Sequence, residues 1–167
     1  MSAPYERHRA QLKAILLSWG MPEENAEVTA DILSWADLHG VDSHGMSMIP
    51  GYDRHRRNGR AKMDARPTIV RETPVSALVD GGAGLGHVPA HFAMQVAIDK
   101  AKQAGMAIAA VRNSAHFGAT GYYTLMAAKQ GLIGMACTSA SSIQVAPTFG
   151  KDVNRPNLTP SDFGLSR

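Results

Sequence analysis

The chain has 167 residues, 44% of them hydrophobic, with a single cysteine and a formal net charge of +3 at pH 7. That length suits one domain, or one domain with a small appendage, and a chain of this size buries roughly 70% of the surface it would expose unfolded. One cysteine excludes an internal disulfide, and no stretch is apolar for long enough to read as a membrane span or a signal-peptide core, so a cytoplasmic protein in a reducing compartment is expected.

Residues 5–19 place Leu12, Ile15, Leu16 and Trp19 at helical spacing, with Gly20 as the stop. Pro22 opens a second helix, Glu23 and Glu24 suit its positive end, and Val28, Ile32, Trp35 and Ala36 form a stripe that runs to Gly40. A short turn over 43–48 follows, and Pro50 begins a segment reaching about Asn58. From residue 67 the period changes to that of strands. Thr68–Glu72 and Ser76–Asp80 read as paired strands around Thr73-Pro74, and Gly81–Gly86 reads as a loop. A helix from Pro89 to Gly105, a strand over 106–111, a helix over 119–130 and a strand over 132–138 complete a crossover pattern, which implies a largely parallel sheet. Cys137 falls in the last of these runs and is expected to be a buried hydrophobe. The polar stretch from Asp152 to Arg167 shows neither period and reads as an irregular tail.

Basic residues crowd one region, with Arg54, Arg56, Arg57, Arg60, Lys62 and Arg66 close together. The stretch lacks interleaved aromatics and carries Asp53 and Asp64, so nucleic acid is not expected. A solvated positive face that steers an anionic substrate fits better.

Two stretches carry candidate chemistry. Gly40-Val-Asp-Ser-His-Gly45 sets an acid, a hydroxyl and an imidazole between glycines. It reads either as a helix end with Asp42 or Ser43 capping the next turn, or as a bend that presents His44 for proton exchange. Asn113 to Tyr123 follows a strand and leads into a helix, with Gly118 and Gly121 allowing close approach. It is either an ordinary connection or a phosphate cradle at the carboxyl end of a strand. The Gly82/Gly84 pair fails the dinucleotide fingerprint because its third position is His87. His87 and His91 have zinc-like spacing, but Pro89 stands between them, so one continuous helix and a metal site are not expected.

The segments His39–Gly45, Gly51-Tyr52, Asp80-Gly81, Gly84–Gly86, Asn113–Tyr123, Gly131–Gly134 and Val145–Pro147 together carry a resemblance. Over residues 5–151 the chain resembles the type-2 malate/L-lactate dehydrogenase family of NAD(P)-dependent 2-hydroxyacid/2-ketoacid oxidoreductases. Relatives include ureidoglycolate dehydrogenase, 2,3-diketogulonate reductase and piperideine-2-carboxylate reductase. The resemblance implies an α/β fold with a mixed, mostly parallel, non-Rossmann sheet preceded by an N-terminal helical segment. It divides the chain into a helical segment with the catalytic histidine (1–66), an incomplete α/β cofactor-binding domain (67–151) and the irregular tail (152–167).

By resemblance, His44 is the proton donor to the substrate oxygen and Ser43 is hydrogen-bonded to it. His116, Phe117, Gly118, Ala119 and Thr120 bind the cofactor, NAD or NADP, and some members give the His116 position an acid/base role. The substrate is a small 2-keto or 2-hydroxy acid, and the full-length form is a homodimer. Many members carry an arginine where Met48 stands, and Arg54 and Arg57 are the candidate substitutes for gripping a carboxylate. The family's pattern after Gly150 is absent, which implies that the C-terminal half is missing, as a frameshift near residue 152 would produce. The alternative function is therefore an inactive fragment that binds at most a nucleotide or a partner.

Overall fold

The computed structural model describes residues 3–138 and the strand Phe163–Ser166. Two compact units divide the chain, Met1–Ala119 and Thr120–Arg167.

In the first unit, helix α1 (Ala3–Ser18) packs on helix α2 (Glu23–Leu38). Leu12 and Leu16, one turn apart, are fully buried against Ala26, Ala30 and Leu33 of α2. Ile32 and Ala36 of the expected stripe are also fully buried, while Val28 and Trp35 are half-buried. The buried arc is wider than the expected stripe because α2 packs against α1 and also against helix α4 (His87–Ala104). At the α1–α2 boundary Arg9 pairs with Glu27 and Asp31, and Lys13 Nζ lies 2.8 Å from Glu27.

Two short 3₁₀ turns, Asp42–His44 and Met46–Met48, lead into helix α3 (Ile49–Arg57). Pro50 stands in the first turn of α3, where its missing N–H costs no hydrogen bond. Trp19 packs against the core, and the Arg56 guanidinium lies 5.3 Å above its ring. Tyr52 of α3, Ala61, Met63 and Leu85 close the same core.

Strands β1 (Thr68–Thr73) and β2 (Ser76–Gly84) form the expected hairpin, with Thr73 opposite Ser76 and Thr68 opposite Asp80. Strand β3 (Ile108–Ser114) lies parallel to β2 on its other side, reached through α4, so the sheet is mixed in the order β1-β2-β3. The expected glycine loop is instead the end of β2, which runs through Gly84. Absent side chains explain this. A Cβ at Gly81 would lie 2.8 Å from Ser114 Cβ, and one at Gly84 would lie 2.8 Å from Ala65 Cβ. Helix α4 begins at His87 rather than Pro89, so His87 and His91 share one helix after all. Pro89 is tolerated because first-turn N–H groups have no intrahelical acceptor.

In the second unit, helix α5 (Thr120–Ala128) precedes strand β4 (Gly134–Cys137), which pairs antiparallel with β5 (Phe163–Ser166). Part of the expected irregular tail is therefore a strand. The rest of it, Asp152 included, lies outside the described residues, as does Val145–Pro147. Cys137 is exposed, not buried, because it shares a face of β4 with exposed Met135. Among the described residues no helix is long and apolar enough to cross a membrane.

Candidate functional site

The glycines that flank Ser43 and His44 serve different ends. Gly40 adopts φ +72°, a left-handed conformation that lets Val41 N–H reach the Ala36 carbonyl at 2.8 Å and end α2 sharply. Gly45 has φ −100°, and what it supplies is room: a Cβ there would overlap the Asp37 carboxylate. That carboxylate accepts Met46 N–H at 2.9 Å and lies 2.7 Å from His8 Nε2, tying the turn to α2 and α1. Neither Asp42 nor Ser43 makes a side-chain cap to a following turn. Ser43 Oγ instead lies 2.8 Å from His44 Nδ1.

The second histidine arrives from the end of β3. Ala115 N–H donates to the Gly84 carbonyl and Gly86 N–H to the His116 carbonyl, each at 2.9 Å, stitching this segment to the start of α4. A side chain at Gly86 would overlap the Ala115 carbonyl, which keeps the two backbones in contact. Gly118, with φ +80°, turns its N–H back onto His116 Nδ1 at 3.3 Å. The His44 and His116 rings then stand 5.3 Å apart, centroid to centroid.

Beneath them lies buried Tyr52. Its hydroxyl is 2.8 Å from His116 Nδ1 and 3.4 Å from His87 Nε2. Burial pushes the Tyr52 phenol well above its ordinary range, so it remains protonated. His87 is completely buried and its Nδ1 has no hydrogen-bond partner among the described residues; burial first, then His116 and His44, holds its pKa down at about 3. His116 is held at about 4, mainly by burial and then by His44 and His55. Both rings are neutral at pH 7.

Asp80 fixes the neighbouring strand ends. It accepts Gly82 N–H at 2.9 Å, Asn113 Nδ2 at 2.8 Å and Arg112 Nε at 3.0 Å. The Gly82 N–H and then Asn113 hold its carboxyl below the usual range. Asn113 itself sits at φ +52°, between paired Arg112 and Ser114, where the β2–β3 register shifts.

The family model for malate/L-lactate dehydrogenase matches residues 3–154. The chain belongs to that family. It is 45% identical over 136 residues to a malate dehydrogenase of Pyrococcus abyssi, covering 81% of this chain and 37% of the relative. It is 39% identical over 147 residues to the L-sulfolactate dehydrogenase of Methanocaldococcus jannaschii, covering 88% of this chain and 42% of that one. The solved malate dehydrogenase of Pyrococcus horikoshii superposes with a TM-score of 0.81 at 41% identity, over 90% of this chain and 43% of its own. The chain thus spans about two fifths of the length of these malate/L-lactate dehydrogenase relatives.

Within this family member the expected residues Ser43, His44 and His116 come together in the first unit. Phe117, Gly118 and Ala119 continue from His116, whereas Thr120 begins α5 in the second unit. Met48 packs against the core. Of the two candidate cations, Arg57 is held by Asp53 at 2.7 Å, while Arg54 is exposed and makes no ion pair among the described residues. Tyr52 and His87 were not foreseen as site residues. Tyr52 had a readable signal, as an apolar ring three residues after Ile49 in an otherwise charged helix. His87 had none, since one histidine at a helix start is compatible with any environment. Among the described residues no group of three or more His, Cys, Asp or Glu could hold a metal ion.

Proposed function

We propose that this chain carries the proton-transfer half of an oxidoreductase that moves a hydride between NADH or NADPH and a small 2-keto or 2-hydroxy acid. The observation that carries the reading is the pair of imidazoles 5.3 Å apart, each with its Nδ1 engaged, by Ser43 on His44 and by Tyr52 on His116. A ring whose Nδ1 is occupied meets a substrate through Nε2.

The dinucleotide when bound supplies the hydride. The protein's task is the proton. Reduction of a keto carbon leaves charge on its oxygen, and His44 in its protonated form delivers a proton there from Nε2. In the oxidation direction neutral His44 takes that proton back. A positioned general acid of this kind contributes about 10²–10⁴-fold. Ser43 holds the ring in place for either direction.

The residues suit such a cofactor. His116 to Thr120 follow the carboxyl end of a strand that is parallel to its neighbour, the end at which open α/β sheets receive ligands. His116 Nε2 makes no hydrogen bond among the described residues, and that N–H is available to an oxygen of a bound molecule. Arg54 takes the carboxylate-steering role for which Met48 is unsuited. In the full-length form the assembly is a homodimer in the cytoplasm.

A second reading is favoured by the short coverage of the relatives: a fragment that keeps the histidine pair and does not turn over. Nicotinamide absorbance followed with this chain, NADH or NADPH, and pyruvate, oxaloacetate or a cyclic imine acid separates the two. Consumption that disappears in His44→Ala is the expected result. No consumption beside an active full-length relative leaves the fragment reading.

A further inference from the structure

Two hydrogen-bond donors converge on one nitrogen in this site. Gly118 N–H reaches His116 Nδ1 at 3.3 Å, and the Tyr52 hydroxyl reaches the same atom at 2.8 Å. A backbone N–H can only donate, so that Nδ1 must present a lone pair. The Tyr52 oxygen would face it lone pair to lone pair unless the phenol also donates. With its single proton committed to His116, the Tyr52 oxygen can only accept from His87 Nε2, 3.4 Å away. Each choice forces the next. His87 then carries its proton on Nε2, and its buried Nδ1 has no hydrogen-bond partner among the described residues.

We infer that Tyr52 is a positioning residue: its hydroxyl, backed by His87 Nε2–H, fixes His116 as the Nε2–H tautomer, so that His116 serves as a neutral hydrogen-bond donor to a ligand oxygen and not as a base. The ligand side of this inference rests on the proposed dehydrogenase reading; the tautomer does not. The surroundings agree. Burial first, then His44 and His55, keep His116 neutral near pH 7, and neither Tyr52 nor His87 brings a carboxylate to it. A neutral imidazole whose only remaining ring atom is N–H can polarise a carbonyl oxygen but cannot take a proton from an alcohol. Two histidines therefore divide the work: His44 exchanges the proton and His116 holds the oxygen.

Nitrogen-15 spectra of the full chain read this without turnover. At pH 7, His116 should show an unprotonated Nδ1 and a protonated Nε2. Tyr52→Phe keeps the ring and removes one donor. It should mix the tautomers and raise the His116 protonation midpoint by about one pH unit, the effect of losing a hydrogen bond that favoured the neutral form. A protonated Nδ1 in the unaltered chain overturns the inference, and that measurement stands even if the variant fails to fold. So does a Tyr52→Phe spectrum in which tautomer and midpoint are unchanged. An inactive chain with the expected tautomer would sink the dehydrogenase reading alone. An active chain with the wrong one would sink only the role given to Tyr52.

Discussion

Gly45 lacks a side chain because the Asp37 carboxylate fills the space a Cβ would take. The same carboxylate receives Met46 N–H, so it cannot swing away without releasing the turn that carries His44. Gly45→Ala should therefore cost about 1–3 kcal/mol, as overpacking does, and lower the melting temperature by several degrees. Gly51 is the internal control. A Cβ there meets nothing within 4 Å and the residue lies in α3, so Gly51→Ala should leave the melting temperature unchanged or raise it. Equal losses in both variants would show that space beside Asp37 is not what residue 45 supplies.

Acid should unfold the first unit through its buried imidazoles. Unfolded histidine titrates near 6.5, whereas His87 and His116 in the fold titrate at about 3 and about 4. Below pH ~6.5 the unfolded state binds more protons, so stability is full above that pH and falls as pH drops toward those lower values. Each such proton is worth about 1.4 kcal/mol per pH unit within the window. Thermal melts from pH 7.5 to 4 should show this decline, and His87→Phe should flatten it by nearly one proton. An unaltered slope in that variant would mean that His87 is charged, or exposed, in the fold.

Asp80 joins β2 to β3 through Arg112 and Asn113 and also accepts Gly82 N–H within β2. Asp80→Ala should lower the melting temperature, and Asp80→Asn should lower it less, because an amide oxygen can still accept Gly82 N–H. Since its carboxyl is held below the usual range, its contribution is present at neutral pH and is lost as pH falls through that lowered value. Identical melts for all three proteins would assign the strand ends to the backbone pairing alone.

The sheet's open side invites self-association. Among the described residues β3 pairs only with β2, and Ile108 on it is 69% exposed. An exposed apolar strand edge is a template for pairing with another chain. Ile108→Lys should slow light-scattering growth at high protein concentration with little change in melting temperature. Undiminished scattering would move the liability to another surface.

The helical half and the hairpin were legible because their signals are local. Leu12 and Leu16 sit one turn apart, Pro22 and Pro50 mark helix starts, and Thr73-Pro74 separates two β-rich runs. Glycine misled wherever its role was spatial. Gly81 and Gly84 read as loop, yet they let β2 continue because Ser114 and Ala65 occupy the places their side chains would need. The resemblance brought out Ser43, His44 and His116, but the His116 ring is held by Tyr52, whose contacts with His87 and His116 span 35 and 64 residues of chain. No local pattern reports a contact of that kind. Cys137 failed for a similar reason: the apolar run around it has two faces, and only pairing decides which one is covered.

Both tryptophans lie in the helical part of the first unit. Trp19 sits under the Arg56 guanidinium, and Trp35 is stacked on His39 with ring centroids 4.2 Å apart. Tryptophan emission is thus a local gauge: it reports the α1–α2 pair and the end of α3, and it is blind to the sheet. The second unit carries aromatic rings at Tyr122 and Tyr123 but no indole. A fluorescence melt and a far-ultraviolet dichroism melt of this protein therefore watch different parts of it, and the temperature gap between the two curves measures how far the chain unfolds in pieces.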